Sequence, residues 1–306
     1  MRRESKLAIN SEKNFDIKIH TTFKIGGKIS EVFFPENINE FVKILNENSD
    51  IRVFGNLSNT LISSNGYEGK IILTTKMDSV TIEGNRVIAD CGVKGPKLSQ
   101  LACSNGLSGL EFMIGFPGSV GGEVYMNASA NSQAISDKLT SVTCYSKQLG
   151  LVKYSKDEMN FGYRSSRCQN EDLIVLQAEF ELDEKNPIEI QARMNENLKF
   201  RQAHQPSLSL PNCGSIFKNP EGDSAGRLLD SIGAKQMSHG NAKVWENHAN
   251  FIVNNKNATS SDVLNLMLEM HTKVKENYNI ELKPEIIFLG GNNKKENEIW
   301  QILNQK

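Results

Sequence analysis

Between Gly115 and Gly122 the chain sets four glycines and one proline in eight residues, Gly115-Phe116-Pro117-Gly118-Ser119-Val120-Gly121-Gly122. No regular helix or strand runs through such a stretch, because glycine raises the entropic cost of order and proline lacks an amide donor. The fold must therefore carry a loop here. Closely spaced glycines also let backbone amides converge on one oxyanion without interference from Cβ atoms, which suits a phosphate group. The same composition describes a tight connection between sheet elements equally well. Its spacing is neither G-x-x-x-x-G-K-[ST] nor G-x-G-x-x-G, so P-loop kinases and simple Rossmann enzymes lose support.

The 306 residues suffice for about two domains with their own cores. A net charge of −1 leaves no broad positive field for nucleic acid or an anionic membrane, so an anionic partner must be a small molecule met by local groups. Cys91, Cys103, Cys144, Cys168 and Cys213 include no C-x-x-C pair, which argues against zinc ribbons and disulfide frameworks and fits a reducing compartment. The amino terminus lacks an apolar signal core, and no run approaches the roughly 18 apolar residues of a membrane span. A soluble cytoplasmic protein is expected.

Apolar spacing predicts a β-α-β opening, with strands at Glu31–Phe34 and Ile51–Phe54 around a helix in Pro35–Asn48 carrying Ile38, Phe41, Val42 and Leu45. Further strands are read at Lys70–Thr75, at Val80–Ile82 and Val87–Ala89 around the Gly84-Asn85 turn, at Leu139–Tyr145 and Leu151–Tyr154, and at Leu173–Leu182. Pro96 opens a short helix that Gly106 closes. The first domain is expected to end near Asp183. A polar helix after Pro187, ending before His204, reads as part of a linker. Beyond it come helices at Ala225–Ile232 and Ser261–Tyr278, the latter capped by Ser260 or Ser261, and strands at Asn250–Val253 and Ile280–Phe288.

Other stretches carry chemistry-bearing residues. Gly55-Asn56-Leu57-Ser58-Asn59 follows a strand, where amides and small polar side chains gather, and Thr21–Gly27 ends in two glycines. Phe161–Arg167 sets Arg164 and Arg167 near Tyr163, suited to a carboxylate or phosphate, although paired loop arginines are usually just solvated. Asn212–Pro220 places Ser215 after Gly214 and ahead of Lys218 and Asn219. It is no nucleophile elbow, and a proton donor or a plain glycine turn fits it better. Glu285 lies inside the apolar run Pro284–Leu289, where a carboxylate needs a partner or a raised pKa. The five histidines show no metal-ligand spacing.

In this order, over about Thr21 to Gly290, these motifs resemble the UDP-N-acetylenolpyruvoylglucosamine reductase (MurB) family, in its shorter type II form. The most specific are Gly115–Gly122 with Met126-Asn127, Phe161–Ser166, Gly214–Pro220, Ala225–Lys235, His248–Thr259 and Leu282–Gly290. The resemblance implies an α+β chain: an N-terminal segment (1–20), a PCMH (vanillyl-alcohol-oxidase) type FAD-binding domain (21–186), a smaller α+β substrate domain (187–292) and a tail (293–306). A monomer is the expectation. It implies reduction of UDP-N-acetylglucosamine enolpyruvate to UDP-N-acetylmuramate by NADPH through FAD, in peptidoglycan precursor synthesis. Carried over position by position, Arg164, Ser215 and Glu285 are catalytic. FAD would meet Ile25, Gly55, Asn56, Leu57, Ser58, Asn59, Gly115, Pro117, Gly118, Ser119, Gly121, Gly122 and Asn127, and the UDP-sugar would meet Tyr163, Lys218 and Asn219. Leu57 stands where the family usually has glycine, Lys24 where arginine is frequent, and Trp245 where a small residue is usual. Leu57 is the one residue leaning toward an alternative, a paralogue that binds a sugar nucleotide without flavin chemistry.

Overall fold

The protein is described by a computed structural model covering residues 10–305. Its first sheet has the strand order Ser11–Asp16, Lys28–Phe33, Tyr67–Leu73, Arg52–Phe54. The inner pairs are parallel and the first strand closes the edge antiparallel. Helix α1 (Ile38–Glu47) makes the crossover, burying Phe41, Ile44 and Leu45. Its start is fixed by Asn37, whose Oδ1 accepts the Glu40 amide at 3.0 Å. The expected β-α-β opening is present. Ser11–Asp16, assigned by sequence to a segment outside the domain, is instead an edge strand. Only Phe15 of its six residues is buried, so it has no alternation to read. Residues 1–9 of that segment, with the basic Arg2 and Arg3, lie outside the described residues.

The second sheet is antiparallel and ordered Gly150–Ser155, Leu139–Ser146, Ile174–Glu181, Arg86–Asp90, Val80–Glu83. Gly84 takes φ +61° in the hairpin turn, and Gly106 takes φ +70° just past α2 (Gly95–Ser104), as their positions suggested. The strand read at Leu173–Leu182 is the central one, packed on both faces, which explains its weak alternation. The short helices α3 (Val120–Tyr125) and α4 (Arg167–Asn170) follow the glycine loop and the arginine stretch.

Helix α5 (Pro187–His204) is not a linker. It buries Ile190 and Met194 against Cys103 of α2 and Ile114 beside the glycine loop. The third sheet runs Asn212–Ser215, Phe251–Asn254, Ala242–Val244, Ser238–His239, backed by α6 (Ala225–Ser231) and α7 (Ser260–Tyr278). The cap of α7 is Thr259, in a reciprocal box with Asp262, rather than Ser260 or Ser261. Val263, Leu264, Met267, Met270 and Val274 are all core residues, as their spacing indicated.

The strand read at Ile280–Phe288 shrinks to Ile287–Leu289. Pro284 cannot donate to a ladder, and the preceding residues make only single bonds across to Ile216–Lys218. The surviving strand does not join the third sheet. It pairs in parallel with Thr60–Ile62, directly after the Gly55–Asn59 turn. The segment set apart as a tail forms α8 (Lys294–Leu303), which buries Ile299 and Leu303. Its Glu296 accepts from Ser63 at 2.7 Å and from Ser260 and Ser261 at 2.6 Å each.

Leu57 does take a left-handed backbone, φ +52°, yet its side chain is 4% exposed and packs with Phe54, Ile62 and Leu73. Burial worth about 2–3 kcal/mol outweighs strain of about 1–2 kcal/mol. Leu57→Gly is therefore expected to lower stability by about 1 kcal/mol or more. Denaturant unfolding measures this, and a rise in stability would show that strain dominates.

Candidate active site

The glycine loop is stitched to the end of the Arg86–Asp90 strand. The Val120 amide donates to Val93 O at 2.8 Å and the Gly121 amide to Cys91 O at 2.9 Å. With the Phe116 amide bonded to Met113 O at 3.0 Å, three of its amides are used internally, and the expected all-amide cradle shrinks to the amides and hydroxyl around Gly118, Ser119 and Gly122. The Gly55–Asn59 turn lies against it. Asn56 Nδ2 donates to Pro117 O at 2.5 Å, and a Cβ on Gly55 would stand 2.3 Å from Ser119 Oγ. Ser119 Oγ and Asn127 Oδ1 are buried without a hydrogen-bond partner. A glycine that must stay bare beside orphaned polar atoms fits a polar cofactor threading between the two loops. Ile25 differs, because its side chain is buried in the core of the third sheet.

Arg164 sits at φ +52°, in a turn closed by reciprocal Gly162 and Ser165 backbone bonds. A non-glycine residue there costs about 1–2 kcal/mol, so the surroundings must impose it. The guanidinium reaches Glu285, with Nε donating to Oε1 at 2.6 Å and Nη1 to Ser129 Oγ at 3.0 Å. Arg164 and Glu285 side chains are 20% and 14% exposed. Burial pushes the Glu285 carboxyl above its ordinary pKa, while Arg164 and Lys218 pull it back. These residues are 121 apart in sequence, and each came from a different motif.

The extended return at Lys283–Glu285 also holds Ser215's segment. The Lys218 amide donates to Lys283 O, and the Glu285 amide to Ile216 O, both at 2.8 Å. Asn250 donates to Phe217 O and accepts the Phe217 amide, fixing the chain where the strand ends. Asn59 Nδ2 donates to Glu285 O at 3.0 Å, tying the loop cluster to the same strand. Tyr163 Oη accepts the Asn219 amide at 3.4 Å, so two expected substrate residues meet. A cleft of about 260 Å³ beside Glu285 and Lys218 is lined also by Tyr125, Gln169 and Trp300. Sequence reasoning missed Ser129, Gln169 and Asn250, which act through hydrogen bonds that no spacing rule reveals.

Glu123 was also missed. Both its carboxyl oxygens are buried without partners, packed against Gly95 and Gly118 under the glycine loop. Burial pushes its pKa up to about 8 from 4.5. The folded chain then keeps a proton that the unfolded chain releases, so stability falls as pH rises from about 4.5 to about 8 and levels off beyond. Glu123→Gln removes this titration. Its melting temperature relative to wild type is expected to climb between pH 5 and pH 8.5, corresponding to on the order of a few kcal/mol. Parallel melts at both pH values test this, and a constant gap would mean that the carboxyl titrates normally.

Known proteins match along nearly the whole chain. Residues 205–289 match the family described as UDP-N-acetylenolpyruvoylglucosamine reductase, C-terminal domain, and residues 29–152 match an FAD binding domain. The UDP-N-acetylenolpyruvoylglucosamine reductase of Caldicellulosiruptor saccharolyticus is 42% identical over 294 residues, 93% of this chain and 94% of that one. The protein of the same name from Clostridium beijerinckii is 37% identical over 292 residues, 94% of this chain and 96% of its own. The crystal structure of MurB from Thermus caldophilus superposes with a TM-score of 0.79 at 33% identity, covering 92% of this chain and 99% of that one. The α+β architecture, an FAD-binding domain of PCMH type followed by the reductase C-terminal domain, is the one the motifs implied. Among the described residues no helix is long and apolar enough to cross a membrane. With two domain matches in order, relatives at 37% and 42% identity along nearly the whole chain and one shared fold, the chain belongs to the UDP-N-acetylenolpyruvoylglucosamine reductase family of FAD-dependent oxidoreductases.

Proposed function

We propose that this chain reduces UDP-N-acetylglucosamine enolpyruvate to UDP-N-acetylmuramate with NADPH, in the cytoplasmic assembly of the peptidoglycan precursor. The observation that carries the reading is the Arg164–Glu285 pair, 2.6 Å apart, held beside the Ser215 segment and the two candidate cofactor loops. The residues that would hold FAD are the Gly55–Asn59 turn, the amides and hydroxyl around Ser119, and Asn127. Bound there, FAD would take hydride from NADPH and pass it to the terminal vinyl carbon of the enolpyruvyl ether.

The chain's own groups do the rest. Hydride addition drives negative charge into the enolpyruvyl carboxylate, and a preoriented guanidinium stabilises that charge more than it stabilises the neutral double bond. Arg164 is placed for this role. Glu285 fixes the guanidinium and, with its raised pKa, holds a proton more readily than an ordinary carboxylate. Ser215 gives its hydroxyl proton to the carbon next to the one receiving hydride, completing addition across the bond. Lys218, Tyr163 and Asn219 would meet the sugar nucleotide.

Reduction of FAD by NADPH needs no proton from Ser215, whereas the second half-reaction does. Ser215→Ala is expected to leave flavin bleaching by NADPH nearly unchanged and to slow reoxidation by the enolpyruvyl sugar nucleotide by about 10² or more. Stopped-flow absorbance of each half-reaction decides between roles. Equal slowing of both would reduce Ser215 to a shaper of the pocket, and no slowing of the second would remove it from the mechanism. Absence of flavin absorbance after reconstitution with excess FAD would overturn the reading as a whole.

A further inference from the structure

Arg164 holds a left-handed backbone that arginine does not choose, so something beyond its own turn must keep it there. Its guanidinium contacts act at the far end of a flexible side chain. The backbone itself is gripped by Gln169, whose Nε2 donates to Arg164 O at 3.1 Å and to Tyr125 O at 2.9 Å. Both partners are carbonyls, so the amide orientation is dictated by chemistry: only the NH₂ group can face them. Tyr125 O also accepts from Ser166 Oγ at 2.8 Å, and Asn127 Nδ2 donates to Gly162 O at 3.0 Å. The arginine turn is thereby clasped to the end of α3, the helix that starts in the glycine loop. Of these ties, only the one from Gln169 reaches the Arg164 peptide.

We propose that Gln169 is a positioning residue for the reduction: its amide fixes the carbonyl of Arg164, and so keeps the guanidinium on Glu285, Ser129 and the enolpyruvyl carboxylate. Without that donor the Arg164–Ser165 peptide plane is free to turn, the backbone relaxes toward the extended region, and the side chain leaves from a different direction. The loss falls on the step that needs preoriented positive charge. It falls less on the cofactor loops, which are tied to each other through Asn56 and Pro117, because Gln169 meets α3 only at its far end, at Tyr125 O.

The inference rests on the role given to Arg164 above, and the test separates the two. Gln169→Met keeps the length and apolar stem but has no donor, whereas Gln169→Lys restores donors at similar reach. In Gln169→Met, flavin reoxidation by the enolpyruvyl sugar nucleotide is expected to slow about tenfold or more. Flavin reduction by NADPH and the Kd for FAD should change less than twofold. Calorimetric titration of flavin-free protein with UDP-N-acetylmuramate, whose carboxylate would face Arg164, should show at least fivefold weaker binding. Gln169→Lys should recover most of both losses. In an Arg164→Ala background, Gln169→Met should add nothing further, because its effect runs through Arg164. Equal slowing of both half-reactions, undiminished slowing in the Arg164→Ala background, or a Gln169→Lys variant as impaired as Gln169→Met would each overturn the inference. If Arg164→Ala leaves reoxidation untouched, the role of Arg164 itself is wrong, an outcome distinct from a failure of Gln169 alone.

Discussion

The parallel pairing of Ile287–Leu289 with Thr60–Ile62 organises the rest of the molecule. It brings the end of the chain back to the strand that leaves the Gly55–Asn59 turn. Glu285, two residues before the pairing begins, is thereby set against that turn and opposite Arg164, with Asn59 bonded to its carbonyl. The same return is bonded to Ile216 and Lys218 and so fixes the segment that follows Ser215. A three-residue strand does this because its neighbours are tied as well. Glu296, buried and satisfied by three serine hydroxyls, fastens α8 and α7 to Ser63.

Two buried glutamates show how differently the same group behaves. Glu296 is met by three hydroxyl donors from two other segments, so its burial builds a junction. Glu123 finds no hydrogen-bond partner for either carboxyl oxygen, and burial pushes its pKa up to about 8. Glu285 stands between them: largely buried, paired with one arginine, and raised in pKa. That intermediate setting suits a group that must orient a cation and also share in proton traffic.

Much of this was legible in the sequence. Glycine density, the serine after Gly214 and the acid inside an apolar run each marked a candidate site residue, the acid because a buried carboxylate is costly unless something uses it. The amphipathic helices were legible for the same reason, since α1 and α7 repeat their apolar residues at helical spacing. Ser11–Asp16 carries one buried side chain and gave no pattern. The run at Ile280–Phe288 looked like a long strand because burial, not pairing, makes it apolar. The role of α5 was hidden by its short apolar stripe, Ile190, Met194 and Leu198, on an otherwise polar helix. Ser129, Gln169 and Asn250 act through side-chain hydrogen bonds to groups on other segments, and only the fold reveals such partners.

The same closing strand bears on how the protein acquires its structure. Asn59 and Glu285 lie 226 residues apart, and Ser63 and Glu296 lie 233 apart. During synthesis the early sheet can form long before its neighbour after the Gly55–Asn59 turn, more than two hundred residues further along, has left the ribosome. Until then Thr60–Ile62 has an open side, and the core residue Leu61 lacks its cover. Contacts of such long range close slowly, since the loop entropy must be overcome before they contribute. The Arg164–Glu285 pair is thus assembled late, because its acid is seated only once the returning strand has found Thr60–Ile62.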